Sequence, residues 1–296
     1  MKTTEQILRD YQKELHRIGK SQNTVKGYLS NISIFLRWAE ETSGEPFAGT
    51  LTPIEVKAYR TYLDKTQKAS LSTINTKLAA VQSFCNFLHN AYGNETIKVE
   101  KKKGNINPKV EVLSKQELFQ FLKYVEGNAS LLHRVITQTI LNTGMRETEV
   151  VDLEMSDIVN LDSTKNSYII IRSGKGDKYR DINISGDYKA LLREWIEHRP
   201  STDSQKVFIG SRGTLTSNGV YKMIHRLGEA KGLNVYPHML RHQYLTQISK
   251  KCENLQDIKS LQDIAGHSTI ETTMRFYIHG SAESKNKLTS DLNYFE

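Results

Sequence analysis

Apolar residues recur every three to four positions through most of this chain, and the places where that rhythm stops divide it. In "SQNTVKGYLSNISIFLRWAEE", Val25, Tyr28, Leu29, Ile32, Phe35, Leu36 and Ala39 fall on one side of a helix, with Ser21 in front as a side-chain cap. In "LTPIEVKAYRTYLD", Thr52 precedes Pro53, an order that suits a first helical turn because proline lacks an N–H that would be unpaired there anyway. "SLSTINTKLAAVQSFCNFLHN" repeats the pattern with Ile74, Leu78, Val81, Phe84, Phe87 and Leu88. Such stripes persist only when buried against one another, so the first third is expected to be a small helical bundle.

Between about residues 93 and 110 the rhythm disappears: "GNETIKVEKKKGNINPKV" holds two glycines, a proline and the run Lys101, Lys102, Lys103. This divides the chain into a helical domain over 1–95, a basic linker over 96–111 and a second domain over 112–296. Helical spacing returns at "LSKQELFQFLKYV", and "SLLHRVITQTILNTGMRETEVVDL" reads as a buried helix, a turn at Gly144 and a second helix. A two-residue period appears in "SYIIIRSGKGDKYRDINI", where β-rich runs flank a turn, the signal of a hairpin. Further helices follow in "DYKALLREWIEH", "SNGVYKMIHRLGEAKG", "HMLRHQYLTQISKK" and "LQDIAGHSTIETTMRFYIH". The expected fold is mainly α: an N-terminal bundle, then a mixed, mostly α domain with a small β element.

Charge sharpens the picture. The formal net charge is +8 with a pI near 9.2, which favours a polyanionic partner. Residues 1–110 carry 17 basic against 10 acidic side chains, and residues 111–296 carry 24 against 23, so the excess lies in the first domain and linker. No run of about 18 apolar residues exists, and "MKTTEQILRD" lacks the basic-then-apolar start of a signal peptide, so a cytoplasmic, non-membrane protein is expected. Cys85 and Cys252 show no metal-ligand spacing and are expected to be free thiols.

Taken singly, the chemically able residues have ordinary explanations. Arg146 and Glu149, three apart, make a surface ion pair at helical spacing. Lys175 at a hairpin tip reads as a solvated lysine, and "SGKGDK" lacks the frame of a phosphate-binding P-loop. In "YPHMLRH", Pro237 suits a helix entry, and His238 and Arg241 then share a face, a proton-transfer group beside a bidentate oxyanion binder, with His242 expected to point elsewhere. His267 follows a glycine at a helix–helix junction that Ser268 or Thr269 would cap, and Tyr277, one of 14 tyrosines, reads alone as core beside Phe276. Together, two guanidiniums, a lysine, two histidines and a tyrosine are what phosphodiester transfer requires.

In order, "TGMRETE", "GKGDKYR", "HMLRH", "GHSTIETT" and "YIH" resemble the signature of the tyrosine recombinase (phage integrase) family across residues 143–279. The first domain is similar to that family's SAM-like core-DNA-binding domain, so the resemblance covers nearly the whole chain. It implies catalysis by Arg146, Lys175, His238, Arg241, His267 and the nucleophile Tyr277, with Glu149 in support, and no cofactor or metal. Tyr277 would form a 3′-phosphotyrosine while Lys175 protonates the leaving 5′-oxygen; Arg146 and Arg241 would grip the phosphate. His238 would accept or shuttle the tyrosine proton, and His267 would donate a hydrogen bond to the phosphate. Lys101, Lys102, Lys103, Lys178 and Arg180 are expected to contact DNA.

Two departures stand out. Many relatives place the nucleophile nine residues after the "GH" histidine, where this chain has Phe276; the "YxH" frame puts Tyr277 one residue later, as in other relatives. Gln243 stands where a small hydroxyl residue is common. The resemblance further implies duplex DNA with inverted-repeat core sites, a homotetramer in the synaptic complex with monomers or dimers off DNA, and accessory DNA-bending proteins. It implies association with the bacterial nucleoid when bound. The tail, about 280–296, carries Leu288, Leu292 and Phe295 in a short apolar stripe and would exchange between protomers. With no arm-type domain ahead of the bundle, a simple recombinase of the Xer or cointegrate-resolvase kind is expected. A type IB topoisomerase or a binding-only DNA regulator are the alternatives.

Overall fold

The computed structural model describes residues 2–104, 111–163, 166–173, 178–184, 186–267 and 269–274. The chain forms two compact units, Met1–Pro108 and Lys109–Glu296.

The first unit is a bundle of α1 (Thr4–Arg17), α2 (Gln22–Ser43), α3 (Pro53–Thr61) and α4 (Leu71–Tyr92). Ser21 caps α2 and Ser70 caps α4, each accepting from the backbone N–H three residues on, while Thr52 and Glu55 make a reciprocal capping box for α3. Each such cap is worth about 1 kcal/mol because it satisfies a backbone donor the helix itself cannot. Helix α1 was not singled out in the sequence, yet Thr3 and Gln6 form a capping box, and Ile7, Tyr11 and Leu15 at i, i+4, i+8 enter the core. The stripes of α2 and α4 interlock around Phe35, Tyr59, Phe84 and Leu88, all buried.

The expected linker belongs in part to this bundle. Ile97 is buried in its core, and two side-chain amides of α4 read the backbone beyond it. Gln82 receives the Val99 N–H (2.7 Å) and donates to the Ile97 carbonyl (2.9 Å); Asn75 receives the Lys102 N–H (2.9 Å) and donates to its carbonyl (3.1 Å). A π-helical turn, Tyr62–Thr66, extends α3 and carries Asp64, which takes the Lys102 ammonium at 2.6 Å. Residues 97–102 are thus a strap along α4, and Lys102, expected on DNA, is engaged within the unit; Lys101 and Lys103 are exposed.

The second unit contains α5 (Lys115–Asn128), α6 (Leu131–Thr143), α7 (Glu147–Asp152), β1 (Ile158–Val159), β2 (Ser167–Ser173) and β3 (Lys178–Ile184). It continues with α8 (Gly186–His198), β4 (Ile209–Gly210), β5 (Gly213–Thr214), α9 (Ser217–Glu229), α10 (Pro237–Ser249) and α11 (Leu255–Ala265). Helix α6 is central, packing on α8 and α10. Strands β1, β2 and β3 form an antiparallel sheet in that order, and β4 and β5 pair separately; β1, β4 and β5, two residues each, were not foreseen. The expected hairpin is β2–β3, with Ile171 opposite Arg180 and Ile169 opposite Ile182. Alternation sends Ile169 and Ile171 from β2, and Ile182 and Ile184 from β3, into the core. Arg180 lies in that same inward series.

Cys85 is buried and Cys252 half-buried, both as free thiols. No helix among the described residues is long and apolar enough to cross a membrane.

Candidate active site

Three helix ends and one strand converge on a cluster of charge. Helix α6 ends at Gly144, left-handed at φ +62°, and the chain turns through Met145 into Arg146, the extended residue that caps the start of α7. Arg146 and Glu149 are bound twice: the Arg146 backbone N–H donates to one carboxylate oxygen (2.7 Å) and Nη1 to the other (3.0 Å). The helical spacing seen in the sequence therefore becomes a local clamp.

Arg180 corrects an expectation. Instead of lying on a DNA-facing surface it is buried, 8% exposed, and its Nη1 and Nη2 donate to Glu149 at 3.0 and 2.7 Å. The fork-to-fork geometry is the strong form of the Arg–carboxylate bond. Alternation along β3 carried the signal, since residue 180 shares its face with Ile182 and Ile184. Burial alone would raise the Glu149 pKa. The hydrogen bonds and charge of Arg180, joined by the Arg146 amide and guanidinium, outweigh it and hold the carboxyl below its usual range.

Arg241, on α10, is 1% exposed. Its Nη1 donates to the Gly144 carbonyl at the end of α6, and its Nη2 to the Ala265 carbonyl at the end of α11. Arg146 Nη2 donates to the next carbonyl, Gly266, at 3.1 Å. Two guanidiniums thus sit at the negative end of α11, where unpaired carbonyls and the helix dipole favour cations. Burial first, and then the charge of Arg146, lowers the Arg241 pKa to about 9, which leaves it protonated at neutral pH. These backbone carbonyls have no residue-type signature and were not foreseen.

His267 follows directly, and its Nδ1 lies 3.0 Å from the buried Thr273 hydroxyl, a partner the sequence reading did not name. Burial, then Arg241 and Arg146, pushes its pKa down to about 4, so the ring is neutral at pH 7. At the start of α10, His238 is open to solvent on one side. The protein packed around its ring, followed by the charge of Arg241, lowers its pKa. His242 does not point elsewhere: at i+4 its ring centroid is 4.2 Å from that of His238, as same-face helical spacing requires. Gln243 is buried, and its Oε1 has no hydrogen-bond partner among the described residues.

Arg146, Glu149, Arg241 and His267 thus come together, with Arg180 behind them and His238 within electrostatic reach of Arg146 and Arg241. Lys175, Phe276, Tyr277 and the tail at about 280–296 lie outside the described residues, as does the capping candidate Ser268. Of Lys178, the backbone begins β3 opposite Ser173. Two fixed guanidiniums beside a neutral imidazole make an oxyanion site of the kind that holds a phosphodiester and stabilises charge developing on it.

A helical bundle joined to a mostly α domain carrying this oxyanion site defines a DNA strand transferase of the type IB class. Residues 111–284 match the Phage integrase family and residues 7–92 its N-terminal SAM-like domain, so the chain belongs to the tyrosine recombinase (phage integrase) family and is a site-specific recombinase acting on DNA. It is similar to tyrosine recombinase XerA of Pyrococcus furiosus, 24% identical over 300 residues covering 98% of this chain and 95% of the relative. Its fold is similar to that of XerH site-specific recombinase bound to palindromic difH substrate in a post-cleavage complex (TM-score 0.70, 20% identity, 96% of this chain and 94% of that chain). A lambda integrase dimer bound to a COC' core site also shares the fold (TM-score 0.71, 19% identity, 93% of this chain and 95% of that chain).

Proposed function

We propose that this recombinase cuts and rejoins DNA through Tyr277. The observation that carries the reading is the pairing of Arg146 and Arg241 on successive carbonyls of α11, with His267 next in the chain. A scissile phosphate held there shares its two non-bridging oxygens among the two guanidiniums and the imidazole N–H. The Tyr277 hydroxyl attacks phosphorus, the P–O5′ bond breaks, and the 5′-oxygen takes a proton from Lys175, leaving a 3′-phosphotyrosine. The phenolic proton passes to His238, whose lowered pKa keeps it unprotonated, as an acceptor must be. Bond energy is conserved in the protein–DNA link, so a 5′-hydroxyl from a partner strand reverses the step.

The DNA is a duplex core site with inverted repeats, gripped by phosphate contacts from the basic first domain. Four protomers on two sites, linked by exchange of the tail carrying Leu288, Leu292 and Phe295, complete the reaction. The test is a nicked suicide substrate that traps the covalent adduct. Wild-type protein forms the adduct, and Tyr277→Phe binds the same DNA without forming it; an adduct with the Phe variant overturns the nucleophile assignment.

A further inference from the structure

We infer that Arg180 is a positioning residue for the phosphate grip, and that through it one ion pair sets both the orientation of Arg146 and the anchorage of the strand leading out of the Lys175 segment. The inference rests on the proposed roles of Arg146 and Lys175. Glu149 has two oxygens and four donors: the Arg146 amide and Nη1, and the two terminal nitrogens of Arg180. With its carboxylate plane fixed by the fork of Arg180, the oxygen that receives Arg146 Nη1 has one place to be. Arg146 then reaches Gly266 with its other terminal nitrogen, which fixes the guanidinium at both ends.

The arrangement is closed from the far side. Gly266 adopts φ +59°, and a β-carbon there would lie 3.0 Å from Arg180 Nη1 and 3.6 Å from Arg146 Nη1. Only a residue without a side chain lets the end of α11 approach both arginines. Both terminal nitrogens of Arg180 donate to the Glu149 carboxylate, which already neutralises its charge, whereas those of Arg241 donate to uncharged carbonyls and leave its charge for an anion. Arg180 sits in β3, which begins three residues after Lys175. The strand that follows the Lys175 segment is thereby tied, at Arg180, to the carboxylate that aims Arg146.

A phosphate contact, a structural role and a positioning role predict different results. Adduct formation on the suicide substrate and DNA affinity across a salt series are measured for wild type, Arg180→Lys, Arg146→Lys and the double variant. Lysine keeps the charge but lacks the fork. Arg180→Lys is expected to slow adduct formation about 10²-fold, the cost of misplacing a catalytic group by about 1 Å. The slope of log affinity against log salt stays unchanged. In the double variant the loss stays within about twofold of Arg146→Lys alone, because Arg180 acts through Arg146. A salt slope reduced by about one overturns the inference in favour of a phosphate contact. Losses that multiply overturn it in favour of independent structural support. Should Arg180→Lys fail to fold, the paired Glu149→Gln and Arg180→Gln variant, which keeps amide hydrogen bonds without buried charge, is read by the same slope and rate. Wild-type protein that binds DNA without forming an adduct overturns the recombination chemistry itself, whereas multiplying losses with a competent wild type overturn the coupling alone.

Discussion

The ring of Tyr244 fills the space that a β-carbon on residue 144 would occupy, with its Cδ1 nearest. Gly144 is also left-handed at φ +62°, and its carbonyl receives Arg241. One glycine therefore ends α6, admits the α10 side chain and supplies a carbonyl to Arg241. Gly144→Ala is expected to destabilise the protein by about 1–3 kcal/mol, from left-handed strain and overpacking together. Adding Tyr244→Leu should recover part of that loss. Denaturant melts of the single and double variants measure both, and a single variant as stable as wild type contradicts the clash.

Glycine turns, helix stripes and caps were legible in the sequence because each is a local property. Ser21, Thr52 and the positions lining α4 stand where the spacing placed them. Helix α1 and the burial of Arg180 were also within reach, through the Thr3–Gln6 capping box and the inward alternation of β3. The i+4 step from His238 likewise determines the side on which His242 lies. The carbonyls of Gly144, Ala265 and Gly266 were beyond reach, since every residue has one and only the meeting of α6, α10 and α11 selects those three.

An oxyanion should stabilise the free protein. Arg146 lies close enough to lower the Arg241 pKa, so the two like charges raise the free energy of the unliganded site. Inorganic sulfate in tenfold excess over its Kd adds about 1.4 kcal/mol, worth about 3–6 °C in Tm for a unit of this size. The comparison is with chloride at matched ionic strength. Arg146→Gln should remove the difference, and equal melting in both salts would show that the arginines form no anion site.

Acid should weaken the fold before carboxylates titrate. His242 and His267 have folded pKa values pushed down to about 4, each by burial first, then by His238 for His242 and by Arg241 for His267. In the unfolded chain histidine titrates near about 6.5. Their contribution to stability is complete above about 6.5 and is lost as pH falls towards about 4, because only the unfolded chain takes up protons in that window. Glu149 has the opposite protonation chemistry but the same direction: its depressed pKa contributes above about 4.3, and that contribution disappears as pH falls further. Thermal melts from pH 7 to 3.5 should decline from about 6.5 downwards, and His267→Gln should flatten the upper part. A Tm constant between pH 6.5 and 4 contradicts the burial of these rings.

Lys101, Lys102 and Lys103 should not contribute equally to DNA binding. Lys101 and Lys103 are exposed, whereas the Lys102 ammonium is held at 2.6 Å by Asp64, whose carboxyl is kept below its usual pKa by that hydrogen bond. The Lys102 backbone is in turn held by Asn75, so the side chain starts from a fixed point. A lysine on a phosphate contributes about one to the slope of log affinity against log salt. Lys101→Ala and Lys103→Ala are each expected to reduce that slope by about one, and Lys102→Ala by a small fraction of that. Asp64→Asn removes the competing carboxylate, so the freed ammonium should steepen the slope by up to about one and tighten binding at low salt. Adding Lys102→Ala to Asp64→Asn should cancel that gain. If Lys102→Ala alone matches its neighbours, the ion pair opens on DNA and Lys102 joins them on the phosphates.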